Sequence, residues 1–116
     1  MPVNLAMQEG FALANQRLAD REVSTLEAAA ALGVTAVASA SLLQTRVIAS
    51  MPRGIETAIA GLSTHAQRAL QFTRSAPGVT TALVGMSQAR HVEENLGVAG
   101  APLLDPAHFQ GLFKGK

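Results

Sequence analysis

Residues 79–88 read VTTALVGMSQ. The first six, 79–84, are uncharged and rich in β-branched and aliphatic side chains, a composition typical of a strand buried in a parallel sheet. Gly85 and Ser87 supply turn residues, and the apolar spacing that follows predicts a helix from about 88 to 96. The stretch therefore predicts a strand, a turn and a helix, the repeating unit of parallel α/β folds.

The same alternation is visible on the N-terminal side of this unit. Ser24 and Glu27 form a capping box that predicts a helix over 25–32, which Gly33 ends. The uncharged residues 34–40 follow, and they predict a second strand buried on both faces.

The rest of the chain adds weaker elements. A second capping box opens a predicted helix over 64–74, and an Asp-Pro pair opens another over 106–113. Residues 11–18 are predicted to be helical, and residues 1–5 to be the end of a third strand. A parallel sheet this small has unpaired edges. The sequence therefore predicts either a segment of a larger α/β domain or a chain that completes its sheet by association.

The composition excludes several kinds of site. The 116 residues are 48% hydrophobic, carry a formal net charge of +1 and include no Cys, Tyr or Trp. A disulfide framework, a thiolate metal site and a basic nucleic-acid surface are therefore not expected. The N-terminus lacks a basic region followed by an apolar run, and residues 28–45 are too polar and alanine-rich to favour a membrane span. We expect a cytoplasmic protein.

The turn after residues 79–84 is the most informative place for binding. The first N–H groups of a helix lack partners and attract anions, so Gly85, Ser87 and the nearby Arg90 could hold a phosphate. An ordinary serine cap after a βα turn explains the same residues. Arg46 and Arg53, which follow the other strand, could reach the same anion or be ordinary surface arginines.

The helix after this turn carries a polar face. His91, Glu94 and Asn95 share it, at spacings i, i+3 and i+4. That face could contact a nucleotide base, or it could be solvated, with Val92 and Leu96 turned inward.

Two other types of functional site have less support in the sequence. The three histidines fall in three different predicted helices, which does not favour a metal site. Residues 85–89, GMSQA, approximate the nucleophile elbow of hydrolases. Asp105 and His108 are the acid and base that follow it, but they lie on one helical turn, a poor arrangement for a triad.

Three segments resemble the C-terminal part of the aldo/keto reductases: QRALQF at 67–72, PGVTTALVGMS at 77–87 and HVEENL at 91–96. That family folds as a (β/α)8 barrel and reduces aldehydes and ketones with NADPH. The resemblance implies that residues 1–116 correspond to the last three β/α units of such a barrel, whose sixth, seventh and eighth strands are similar to the three predicted here.

The resemblance also implies where the nucleotide would lie. In chain order, the implied cofactor-binding residues are Ser41, Leu43, Gly85, Met86, Ser87, His91, Glu94 and Asn95. The first two would lie beside the pyrophosphate, the next three at the 2′-phosphate of the adenosine, and the last three along the adenosine. NADH stays open beside NADPH because Ser87-Gln88 lacks the basic residue often found there.

The same resemblance places no catalytic residue in this chain. The family's catalytic Asp, Tyr, Lys and His come from earlier strands, and this sequence has no tyrosine to act as the general acid. The chain alone is therefore expected to be inactive as a reductase. The alternative, which belongs to a different class of function, is a non-catalytic assembly module that pairs its exposed sheet edges with another chain.

Overall fold

The computed structural model describes residues 1–42, 46–49 and 51–112. Within them, short strands and helices alternate as a mixed α/β fold with a small parallel sheet. In chain order the elements are α1 Glu9–Ala12, β1 Gln16–Leu18, β2 Arg21–Val23, α2 Thr25–Ala31, β3 Val37–Ala38, α3 Arg46–Ala49, α4 Ile55–Ala58, α5 His65–Ser75, β4 Thr81–Ala82, α6 Ala89–Leu96, a 3-10 turn Gly97–Gly100 and α7 Pro106–Gly111.

The parallel sheet contains the three segments that the sequence analysis predicts to be strands. β3 and β4 pair in parallel, with Val37 opposite Thr81 and Ala38 opposite Ala82. On the other side of β3, Pro2 forms a parallel bridge with Ser39. The three segments therefore lie side by side in chain order and run in the same direction.

The paired strands are shorter than predicted because the ladder is interrupted at both ends. At the start, the Ala36 N–H donates to the Thr80 hydroxyl at 3.1 Å. At the end, Ala40 adopts a left-handed conformation with φ of 56°, which turns the chain out of the sheet. The predictions of strands over all of 34–40 and 79–84 were therefore too long, and residues 1–5 contribute a single bridge.

One face of this sheet is covered and the other is open. Val3, Ala36 and Ala38 are buried against the helices. On the opposite face, Val37 is 39% exposed and Leu83 is 53% exposed. The prediction that the segment 34–40 is buried on both faces is therefore wrong for one of them, because Val37 is exposed there.

An aromatic cluster joins three helical segments beneath the covered face. The ring of Phe72 in α5 lies 6.1 Å from that of Phe11 in α1 and 5.1 Å from that of Phe109 in α7, measured between centroids. Phe72 and Phe109 are almost completely buried. The two largest fully buried side chains among the described residues, those of Phe72 and Phe109, both belong to this cluster.

The long helix α5 is fixed by local and distant hydrogen bonds. The predicted capping box is present: the Thr64 hydroxyl accepts from the Gln67 N–H, and the Gln67 side chain accepts from the Thr64 N–H. The Thr73 hydroxyl donates to the Val3 carbonyl oxygen at 3.1 Å. This bond ties the helix to the N-terminal segment, 70 residues away in the chain.

The predicted helix over 11–18 is wrong beyond its first two residues. Helix α1 ends at Ala12, and residues 16–18 form β1, which pairs antiparallel with β2. Ala19 turns the hairpin with φ of 56°. The apolar spacing of 11–18 suits a helix, but pairing with the segment 21–23 gives the backbone its hydrogen bonds instead.

The other helices begin and end within about two residues of their predicted bounds. The last predicted helix, 106–113, ends earlier, at Gly111, and Phe113 lies outside the described residues. Three short helical segments were not predicted: α3, α4 and the 3-10 turn. None exceeds four residues, too few for a periodic pattern to be visible.

Candidate nucleotide-binding edge

The carboxyl ends of β3 and β4 are tied together by Ser41. Its side chain is almost fully buried, and its Oγ donates to the Leu83 carbonyl oxygen at 2.7 Å. This side-chain hydrogen bond thus replaces the backbone hydrogen bond that would come next between the two strands. Ser41 lies at the predicted edge, but its hydroxyl proton is bonded inside the chain. It can therefore position this edge more readily than it can donate to a pyrophosphate.

The residues after β4 form an exposed rim at that edge. Gly85, Met86 and Ser87 have no regular secondary structure and are exposed. Helix α6 begins at Ala89, with Gln88 as N-cap, and no side chain caps it. The possibility that Ser87 caps the helix is therefore wrong. The first N–H groups of α6 lack a side-chain acceptor and point toward the rim, an arrangement that suits an anion.

Helix α6 carries the predicted polar face beyond the rim. His91, Glu94 and Asn95 are half-buried, whereas none of the residues of α6 is fully buried. Val92 is 39% exposed and Leu96 is 65% exposed. The alternative in which these two residues turn inward is therefore wrong.

Gln67 holds α6 against α5, a contact that the sequence analysis missed. Its Nε2 donates to the Glu94 carbonyl oxygen at 2.7 Å. Gly97 makes room for this side chain, since a Cβ there would lie 2.7 Å from Nε2. The capping-box pattern predicts only the local contact of Gln67 with Thr64. The contact with α6 leaves no pattern in the sequence because the partner is 27 residues away.

A groove of about 340 Å³ runs between β4, α5 and α6. Met86 and Asn95, two of the predicted cofactor contacts, both line it. The Asn95 Oδ1 atom is shielded from solvent and has no hydrogen-bond partner among the described residues. A buried acceptor without a donor costs about 1–3 kcal/mol, so this atom favours a ligand or partner that brings an N–H group.

The remaining predicted contributors either lie outside the described residues or have no described contact with the edge. Leu43 lies outside the described residues. Arg46 and Arg53 are exposed, and no described contact links either to the rim. The hydrolase alternative also fails on geometry, because the His108 ring nitrogen bonds the Ala58 carbonyl oxygen at 2.8 Å rather than facing Ser87. No cluster of metal-ligating side chains occurs among the residues that the structure describes.

Comparisons with known proteins identify no relative of this chain: no family model, no curated protein and no solved structure matches it. Within the described ranges, no helix has the length and apolar character needed to cross a membrane.

Proposed function

We propose that this chain is the C-terminal, nucleotide-binding part of an NAD(P)H-dependent oxidoreductase of the aldo/keto reductase type. In this proposal the full domain is a (β/α)8 barrel, and the chain contributes its last three β/α units. The parallel order of the segments at Pro2, β3 and β4 supports it, since sequential strands are neighbours in such barrels. The open sheet face supports it too, because the inner face of a barrel is covered by its other strands.

The observation that carries the proposal is the uncapped start of α6 at the carboxyl edge of β4. Ligands of parallel α/β folds bind at this edge, and phosphates are commonly held at a helix N-terminus there. Ser87 and the first N–H groups of α6 would hold the phosphate, with Arg90 adding positive charge. His91, Glu94 and Asn95 would contact the adenosine, and Asn95 Oδ1 can accept from an amino group.

The cofactor would supply the hydride for carbonyl reduction, and this chain's residues would only bind and orient it. The proton donor belongs to another part of the domain, since the chain lacks tyrosine. Because a large part of the barrel is missing, we expect the isolated chain to bind NADPH weakly and to reduce no carbonyl compound.

A titration of the ¹⁵N-labelled chain with NADPH and NADH tests this proposal. We expect amide shifts at residues 87–90 and at the Asn95 side chain, saturating only in the millimolar range. Arg90→Gln should weaken NADPH binding about two- to fivefold, the effect of one exposed charge near a helix N-terminus. Arg53→Gln is the matched control and should change nothing. Sub-micromolar affinity, or shifts confined to other regions, would contradict the proposal.

The assembly module, which pairs its exposed sheet edges with another chain, stands as a second candidate because no strand of the described chain pairs with the outer edge of β4. Size-exclusion chromatography with light scattering separates the two functions. A module should form one defined oligomer, whereas a barrel segment should remain monomeric or aggregate without a fixed size.

A further inference from the structure

The free edge of β4 presents unpaired backbone groups in a fixed direction. The Thr81 N–H donates to the Ala36 carbonyl oxygen at 3.3 Å, and the Leu83 N–H donates to that of Ala38 at 2.8 Å. In a parallel ladder, alternate residues direct their N–H and C=O groups to opposite edges. The groups of Ala82 and Val84 therefore point away from β3, and no strand of the described chain pairs with them.

The surface beside this edge is largely apolar: of the residues that line the groove, Thr80, Thr81 and Asn95 are polar and Arg74 alone is charged. Ala82 and Val84 line the groove below α6, together with Leu70, Leu96 and Val98. No charged residue occurs between 75 and 89. The one guanidinium in the groove, that of Arg74, already donates to the carbonyl oxygens of Val98 and Ala101. A charged group entering here would lose its hydration without gaining a partner.

We propose that the edge of β4 receives an extended, uncharged strand of a partner polypeptide, running parallel to β4. Its backbone pairs with Ala82 and Val84, as in strand addition to other exposed sheet edges. Alternate side chains of the added strand fill the groove beside Leu70 and Leu96 and cover the open face beside Leu83. The parallel direction follows from the sheet, whose three segments already run one way.

This inference shares with the proposed function the premise that further strands continue the sheet. The proposed strand addition specifies the edge, the direction and the chemistry of the partner, and it does not require a nucleotide. If the chain binds the added strand but not NADPH, the nucleotide-binding proposal fails and the strand-addition proposal stands. If it binds NADPH but not the added strand, the reverse holds.

The probe is a synthetic peptide with the sequence VTAVASAS, copied from residues 34–41, because this segment already pairs in parallel with the inner edge of β4. Added at millimolar concentration to the ¹⁵N-labelled full chain, it should shift the amide signals of Ala82 and Val84 in a saturable way. A control peptide with proline in place of the residue equivalent to Val37 should bind at least tenfold more weakly, because proline lacks the N–H that a ladder needs.

A chain variant gives a second test. In Ala82→Pro the lost N–H is the outward one, so the bonds to β3 remain and proline is tolerated at this edge position. This variant should keep its thermal midpoint within a few degrees and lose at least tenfold in peptide affinity. Absence of shifts at Ala82 and Val84, or equal shifts with the proline peptide, would overturn the proposal. Shifts that grow with protein concentration alone would assign the edge to a second copy and would equally overturn it.

Discussion

Replacing Phe72 by alanine is expected to lower the free energy of unfolding by about 3–5 kcal/mol, the usual cost of deleting a large buried aromatic side chain. Phe72 is 1% exposed and packs on the rings of Phe11 and Phe109. For a protein of this size, that loss removes a large part of the total stability.

Urea denaturation followed by circular dichroism measures this effect. The midpoint should fall by about 2 M, given a typical dependence of 1–3 kcal/mol per molar urea. Leu103→Ala is the control, since Leu103 is 55% exposed, and it should change the free energy by less than about 0.5 kcal/mol. A loss below about 1 kcal/mol for Phe72→Ala would show that the aromatic cluster does not form the core.

Gly78→Ala should be the second large effect, because two costs combine at this position. Gly78 has φ of 93°, which side-chain-bearing residues rarely adopt. A Cβ there would also lie 2.6 Å from the backbone oxygen of Leu26, at the start of α2. Neither α2 nor the turn into β4 can move without disturbing the buried side chain of Leu26.

Gly54→Ala separates these two costs. Gly54 has φ of 77°, but apart from its two chain neighbours no residue has an atom within 4 Å of the position that a Cβ would occupy. Its substitution should therefore cost only the conformational term of about 1–2 kcal/mol. We expect Gly78→Ala to cost at least about 2 kcal/mol more, measured by the same urea titration. Equal losses for the two variants would mean that the turn before β4 does not pack on α2.

Elements with local signals could be predicted from the sequence. The Ser24 hydroxyl accepts from the Glu27 N–H at the start of α2, and the Asp105 carboxylate accepts from the His108 N–H at the start of α7. Such caps involve residues three apart, so the sequence displays both partners together. The parallel pairing of residues 37–38 with 81–82 also follows from the alternation of strands and helices.

Features that depend on distant partners could not be predicted in this way. The Ser41 hydroxyl bonds a carbonyl oxygen 42 residues away, so nothing in the neighbouring sequence shows that it points into the chain. The hairpin at 16–23 competes with a helical pattern that looks equally good locally. The open sheet face could not be predicted either, because uncharged strands predict burial on both faces, whereas Val37 and Leu83 are exposed on one of them.

Hydrogen exchange of the amides in and beside β4 tests most directly the claim on which both proposals depend, namely that β4 is the free edge of a parallel sheet. The amides of Thr81 and Leu83 should exchange slowly because they donate to β3, whereas those of Ala82 and Val84 should exchange rapidly. Equal protection at all four positions would mean that the outer edge is already covered. Rapid exchange at all four would mean that the sheet does not form.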